Sequence, residues 1–372
     1  MLDDYVVIDA VTHAYNFHPS NYAVAKDARL VADLSYFMAR NPPDRRYALP
    51  DEVYRSDWSS ADVANLLFHE SETDFAVMHA LPISAFHDGL VSVAKAAEAV
   101  ERWPNRFIGA YAAVDPMTGP QALLELERQA DLLKPHGLKL YPNSWATGSV
   151  ELWRMDDPKL VYPLYEKAME LGIRHIAVHK AVPIGSVPVK DSYNPSDIEG
   201  AAAAFPDLTF EIVHGGMAFL DETAWLLSRF DNIYVNMEIQ NIILERRPRA
   251  FAEILLGLAR IGGKRMFRRM FWGSGTTLYH PRPALEAFRA FEFPEDLLAD
   301  AGLFASIPQL TDADKRGILG GNYARMHGVD LEKAKAAVVG DEFWREPGAE
   351  LPEPYSTISS AKAVDDWRSE RV

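Results

Sequence analysis

The sequence predicts an α/β chain closed into a barrel of eight parallel strands, a (β/α)8 arrangement, and three observations carry that expectation. Eight short apolar runs, at residues 5–10, 74–80, 107–114, 137–141, 173–179, 208–214, 233–238 and 270–275, alternate with segments of helical periodicity. The length of 372 residues suits one such barrel with additions. The runs also end in residues that carry chemistry: His13 follows the first, His79 ends the second, Asp115 closes the third, Lys139 and Tyr141 belong to the fourth, and His179, His214 and Glu238 end the next three. Strand ends of one barrel open on one mouth, so these side chains are expected to share a site.

Taken in order, the first run leads through Val11-Thr12-His13 into residues 14–60, which are rich in aromatic, proline and charged residues without a clear period. An insertion this long after the first strand is expected to be a lid over the mouth or a subunit contact. Helical segments follow at 60–72, 90–103, 119–133, 158–171, 198–205, 223–230 and 250–261, with further helices and loops to about 327. The second of them is amphipathic, with Lys95, Glu98 and Glu101 on its polar face. The sixth run ends in Ile212-Val213-His214-Gly215-Gly216, where two glycines allow the sharp turn that brings an imidazole to the mouth. Residues 1–330 are thus read as the barrel, and 331–372, where periodicity fades, as a C-terminal arm along the surface or onto a partner.

Composition narrows the function. With 48% hydrophobic and 24% charged residues the chain is of soluble globular type. A formal net charge of -15 argues against nucleic acid and anionic membrane surfaces, which reward basic patches. The absence of cysteine excludes disulfides, thiolate ligands and a cysteine nucleophile. The start, Met1-Leu2-Asp3-Asp4, lacks the basic and apolar character of a signal peptide, so a cytoplasmic location is expected. The loop Gly273-Ser274-Gly275-Thr276-Thr277 lacks the Gly-Lys of a phosphate loop and the third glycine of a dinucleotide turn, so no nucleotide cofactor is expected.

Six segments in this order, Ile8-Asp9-Ala10-Val11-Thr12-His13, Gly137-Leu138-Lys139-Leu140-Tyr141-Pro142, the 157–171 helix before His179, Val213-His214-Gly215-Gly216, Phe271-Trp272-Gly273-Ser274-Gly275 and Ile318-Leu319-Gly320-Gly321-Asn322-Tyr323-Ala324, resemble the amidohydrolase superfamily, in its amidohydrolase-related branch that includes aminocarboxymuconate-semialdehyde decarboxylase. The resemblance implies the TIM-barrel fold. It also implies one divalent metal held by a His-x-His pair after strand one, a histidine after strand five and an aspartate after strand eight, with the strand-six histidine beside the metal-bound water. His13 matches the second histidine of the pair, His179 the strand-five ligand and His214 the water-side histidine. Val11 and Gly275 stand where the first histidine and the aspartate belong. Neither can coordinate, so a zinc-like metal on His13 and His179 is expected to be weak or absent unless His280 or Glu238 replaces the lost ligands.

The candidate catalytic residues are therefore His214 and His179 as bases, with Lys139 either binding a substrate carboxylate or paired with Asp115 or Glu211. Tyr141, Trp272, Ser274, Thr276, His280 and Glu238 are the candidate substrate contacts. The resemblance implies a hydrolase acting on a small, cyclic or aromatic carboxylated molecule. A nonoxidative decarboxylase on the same scaffold and a non-catalytic partner subunit of an intact paralogue are the alternatives. A homodimer, or a heteromer with such a paralogue, is the expected assembly.

Overall fold

The computed structural model describes residues 5–188, 191–346 and 348–370. The sequence reading of Met1 to Asp4 and the part of the C-terminal segment at Pro347 lie outside the described residues. Eight strands, β1 (Ile8–Thr12), β2 (Phe75–His79), β3 (Phe107–Ala113), β4 (Gly137–Leu140), β5 (His175–His179), β6 (Thr209–Val213), β7 (Ile233–Asn236) and β8 (Met270–Phe271), pair in parallel, each with the next. The sheet returns on itself between β8 and β1. The Ala10 N–H donates to the Trp272 carbonyl at 3.0 Å, the Gly275 N–H to Val11 at 2.9 Å and the Thr277 N–H to His13 at 2.8 Å.

The runs behave as parallel strands buried on both sides, which explains why they read as unbroken apolar stretches rather than alternating ones. One apolar set packs inside the lower barrel, where Ile8, Val77, Tyr111, Ala177, Val213 and Phe271 meet Tyr323 and Val338 from C-terminal helices. A larger set fills the layer between strands and helices. Among the described residues no helix is long and apolar enough to cross a membrane.

Four elements differ from the sequence reading. The first strand is Ile8–Thr12 rather than 5–10, because Val7 sits just below the sheet with its N–H held by the Asp74 carboxylate at 2.9 Å. Residues 14–60 are not irregular: they contain a 15-residue helix, Ala25–Ala39, and shorter turns. Ala28, Val31 and Ala32 of that helix are buried while Leu30 and Phe37 are exposed, so apolar residues on both faces blur the period that would have revealed it. The C-terminal segment likewise forms helices Leu331–Ala337 and Ala361–Ser369. A small hairpin, Asn143–Ser144 with Glu151–Leu152, follows β4 and was not foreseen.

The stretch before the last helix is strapped to the barrel by two buried carboxylates. Glu70 accepts from the Thr357 N–H and hydroxyl, both at 2.7 Å, from the Tyr355 N–H at 2.5 Å and from His280 Nε2 at 3.0 Å. Asp62, already capping the helix Ser60–Ala64, accepts from the Ser359 N–H at 2.6 Å. Glu70→Ala would strand these donors, so it should cost about 3 kcal/mol of stability. Limited proteolysis should then release the C-terminal segment before the barrel; cleavage order and thermal midpoint equal to wild type would contradict this account.

Candidate functional site

The C-terminal strand ends bring six polar side chains into the barrel mouth: His13 beyond β1, His79 at the end of β2, Lys139 in β4, His179 at the end of β5, His214 beyond β6 and Glu238 beyond β7. Each is at most 5% exposed. Local backbone turns aim them. His214, with φ of 64°, begins a left-handed stretch that continues through Gly215 and Gly216, and Ile239 takes φ of 68° directly after Glu238. Left-handed backbone is costly for a β-branched residue such as isoleucine, and it persists where surrounding contacts impose it. Those contacts are present. The Asn236 carbonyl oxygen Oδ1 accepts from the N–H groups of both His214 and Glu238 at 3.2 Å, and the Gln240 side chain donates to the His214 carbonyl at 2.8 Å.

The side chains interlock. Glu238 Oε1 lies 3.4 Å from His13 Nε2, and its Oε2 lies 3.6 Å from His214 Nδ1. His214 Nε2 and His179 Nδ1 are 3.2 Å apart, while His179 Nε2 donates to the Val182 carbonyl at 2.6 Å. Tyr141 stacks on His179 with ring centroids 4.4 Å apart. His79 lies one layer deeper, stacked on Tyr111 and bonded to the Ala10 carbonyl at 2.8 Å. A pocket with about 490 Å³ of space free of protein atoms opens onto His179, His214 and Glu238. Tyr141 and Ile184 form part of its wall, and Val31, Leu34, Ser35 and Met38 of the Ala25–Ala39 helix form another part. That helix is tied to the mouth loops by Asp27, which accepts from Trp145 Nε1 at 2.8 Å and the Ser186 N–H at 2.9 Å.

Several buried polar atoms here have no partner within the protein: Asp9 Oδ2, His13 Nδ1, His79 Nδ1, Lys139 Nζ and Glu238 Oε2. Buried polar groups are nearly always satisfied, so such a concentration singles out this mouth as the candidate site. Burial sets their charges. It lowers the proton affinity of the His13, His79 and His179 imidazoles and pulls His214 down to about 4, leaving these rings neutral near pH 7. Burial also lowers Lys139, against the raising pull of Glu238 and Glu211. Burial alone would raise Glu238, but its interactions with the His214 and His13 rings and with Lys139 outweigh burial and hold the carboxyl well below its usual range. Asp9, which accepts from the Ser274 N–H at 2.8 Å, is pushed by burial up to about 7.

Residues 69–329 match the profile of the amidohydrolase family. The chain belongs to this amidohydrolase family. Its barrel superposes on solved structures of low identity, a likeness that speaks for the fold. These include an uncharacterised TIM-barrel protein of Bordetella bronchiseptica (19% identity, TM-score 0.58, covering 88% of this chain and 99% of the other). A 2,6-dihydroxybenzoate decarboxylase from Rhizobium follows (14%, 0.53, 88% and 99%). A 5-carboxyvanillate decarboxylase of Novosphingobium aromaticivorans, solved with bound manganese, is similar too (14%, 0.53, 87% and 97%). A search of curated proteins finds no match.

The amidohydrolase fold implies a divalent metal, and the residues of this mouth do not fit one. Among the described residues no group of three or more histidine, aspartate or glutamate side chains is arranged to hold an ion. Both nitrogens of His179 and the Nε2 of His214 are engaged, which leaves His13 and Glu238 as a pair, short of the three protein ligands that catalytic metals usually take. Of the two replacement ligands considered from sequence, Glu238 is in the mouth. His280 is not: it is spent on Glu70, between Tyr47 and Tyr355.

Other sequence-predicted contacts are also turned away. Trp272 faces outward onto Phe288, in the layer between strands and helices. The Ser274 and Thr276 hydroxyls bond each other at 2.6 Å, so they shape their own loop rather than present donors to a ligand. Lys139 is bonded neither to Asp115, which takes the Ser144 hydroxyl at 2.5 Å, nor to Glu211, which takes His175 at 2.7 Å and Asn236 at 2.5 Å. Missed from the sequence were Asp9 and Asn236. Asp9 carried a signal, an acidic residue inside an apolar strand; Asn236 carried none that distinguishes it from any strand-end amide.

Asp9 gives a pH signature with a definite sign. Its carboxyl titrates near 7 in the folded chain and near its ordinary 3.8 when unfolded. Stability is therefore full below about pH 4 with respect to this group and is lost as pH rises toward 7, by up to about 4 kcal/mol. Asp9→Asn keeps the acceptor and removes the titration. Denaturant midpoints of the variant should fall less than those of wild type between pH 4 and 7; parallel curves would refute the assignment.

Proposed function

We propose that the mouth binds a small cyclic or aromatic carboxylate through Lys139 and removes the carboxyl group as CO2. The observation that carries this reading is the Lys139 ammonium, which is 1% exposed, has no acceptor within the protein and lines a pocket shared with Tyr141 and Asp115. A buried cation with no hydrogen-bond acceptor favours an anionic ligand. Tyr141 and Ile83 line both this pocket and the one bordered by Tyr15 and Ile184, so Tyr141 offers a flat apolar surface of the kind a ring requires. The solved relatives named as decarboxylases of aromatic acids lend the reaction class by likeness of fold, which is an analogy rather than a chemical argument.

In decarboxylation the bond from ring carbon to carboxyl breaks, CO2 leaves, and the carbon takes up a proton. The buried pocket favours conversion of the carboxylate to uncharged CO2, and the His13–Glu238 contact is an acid–base pair that can take a proton from water and pass it to the carbon. A second reading, hydrolysis of a cyclic ester or amide, has one specific observation in its favour. His214 is neutral near pH 7 and could accept a proton from attacking water.

A panel of hydroxybenzoates and carboxylated lactones separates the two. Decarboxylation should release CO2 and, in D2O, leave deuterium on the vacated ring carbon; ring opening without CO2 would replace it by the hydrolase reading. Lys139→Met should raise KM by about 10- to 100-fold on any accepted substrate. Wild-type protein that neither binds nor turns over any member of the panel would reject the carboxylate reading altogether.

A further inference from the structure

We infer that this mouth takes no divalent metal, because the Glu238 carboxylate fills the space of the missing anionic ligand and the positive charge comes instead from the buried Lys139 ammonium. The inference rests on the family assignment and not on the substrate reading.

Four features of the site lead to it. A Cβ built on Gly275, the position of the expected aspartate, would lie 2.9 Å from Glu238 Oε1 and 3.0 Å from its Cγ. The volume of the missing side chain is therefore already filled by a carboxylate arriving from β7 instead of β8. Gly275 also has φ of 69°, which disfavours any side chain there. Val11, the position of the expected histidine, is fully buried with the apolar side chains of the barrel interior and packs so near Gly273 that a Cβ there would meet its Cγ2 at 3.1 Å. The lone pair of His179 Nδ1 and the edge of His214 Nε2 face each other at 3.2 Å rather than a common centre.

The positive charge is supplied from elsewhere. Lys139 Nζ is buried with no hydrogen-bond acceptor and lies 5.7 Å from the centre of the Tyr141 ring, which itself stacks on His179. A divalent ion entering this space would meet that ammonium at low dielectric, where like charges repel strongly. One monovalent cation and one carboxylate neutralise each other, whereas a divalent ion beside both would leave an excess positive charge.

The test is metal uptake by the purified full chain after dialysis against MnCl2 or ZnCl2, read by elemental analysis and by the thermal midpoint. Wild type should retain no more than about 0.1 ion per chain and show no rise in midpoint, because an ion that binds the folded state must stabilise it. Retention of one ion per chain that is lost in His13→Ala or Glu238→Gln would overturn the inference. The charge pair is read separately. Lys139→Met and Glu238→Gln should each lower the midpoint, while the double variant should lose clearly less than the sum of the two; additive losses would overturn the pairing. The metal measurement needs no variant, so it decides the first point even if a variant fails to fold. A bound metal would leave carboxylate recognition by Lys139 intact, and a failure of carboxylate recognition would leave the metal result standing, so the two readings fail independently.

Discussion

Glu238 is an anion held where water does not reach, and the arrangement around it follows from that constraint. An isolated carboxylate in such a place would take up a proton or unfold its surroundings. Here the His13 and His214 rings lie 3.4 and 3.6 Å from its oxygens, and with the charge of Lys139 they keep it ionised against the effect of burial. The same constraint explains why the histidines remain neutral. One full positive charge is already committed nearby, and a second would be opposed by burial and by Lys139 together.

Precision in the mouth comes from a polar layer beneath it. His175 Nε2 meets Glu211 at 2.7 Å, Glu211 receives the Asn236 amide at 2.5 Å, and the other end of Asn236 gathers the N–H groups of His214 and Glu238. One asparagine thus fixes the ends of β6 and β7 relative to each other, which lets two adjacent left-handed turns persist. Stacking of His79 on Tyr111 joins the layers at the opposite side of the barrel, with ring centroids 4.2 Å apart. Rigid elements below and loops above is the division expected of a barrel enzyme.

Much of this was legible in the sequence because the barrel is written in repeated local signals. Eight apolar runs ending in polar residues define both the fold and the mouth, and His13, Lys139, His179, His214, Tyr141 and Glu238 all come together as the strand-end rule demands. Past a strand end turn geometry decides a side chain's direction, and it does not always aim that side chain at the mouth. Trp272 and His280 are placed by such turns, one facing Phe288 and the other Glu70, and nothing in residue type foretells either. The Ala25–Ala39 helix was hidden because it packs on the mouth with one side and shows Leu30 and Phe37 on another. Partnering within the site, such as His179 with His214, is a matter of tenths of an ångström and has no sequence signature.

The crowding of position 275 by Glu238 has a historical consequence. A carboxylate can sit at the end of β7 or of β8 in this mouth, but the space admits one at a time, because a Cβ at 275 would press on Oε1 at 2.9 Å. Movement between the two arrangements by single substitutions must pass either through a crowded chain that carries both or through one that carries neither, with Lys139 left unbalanced. The residues at 238 and 275 are therefore not independent: a substitution at either one changes which side chains the other can carry.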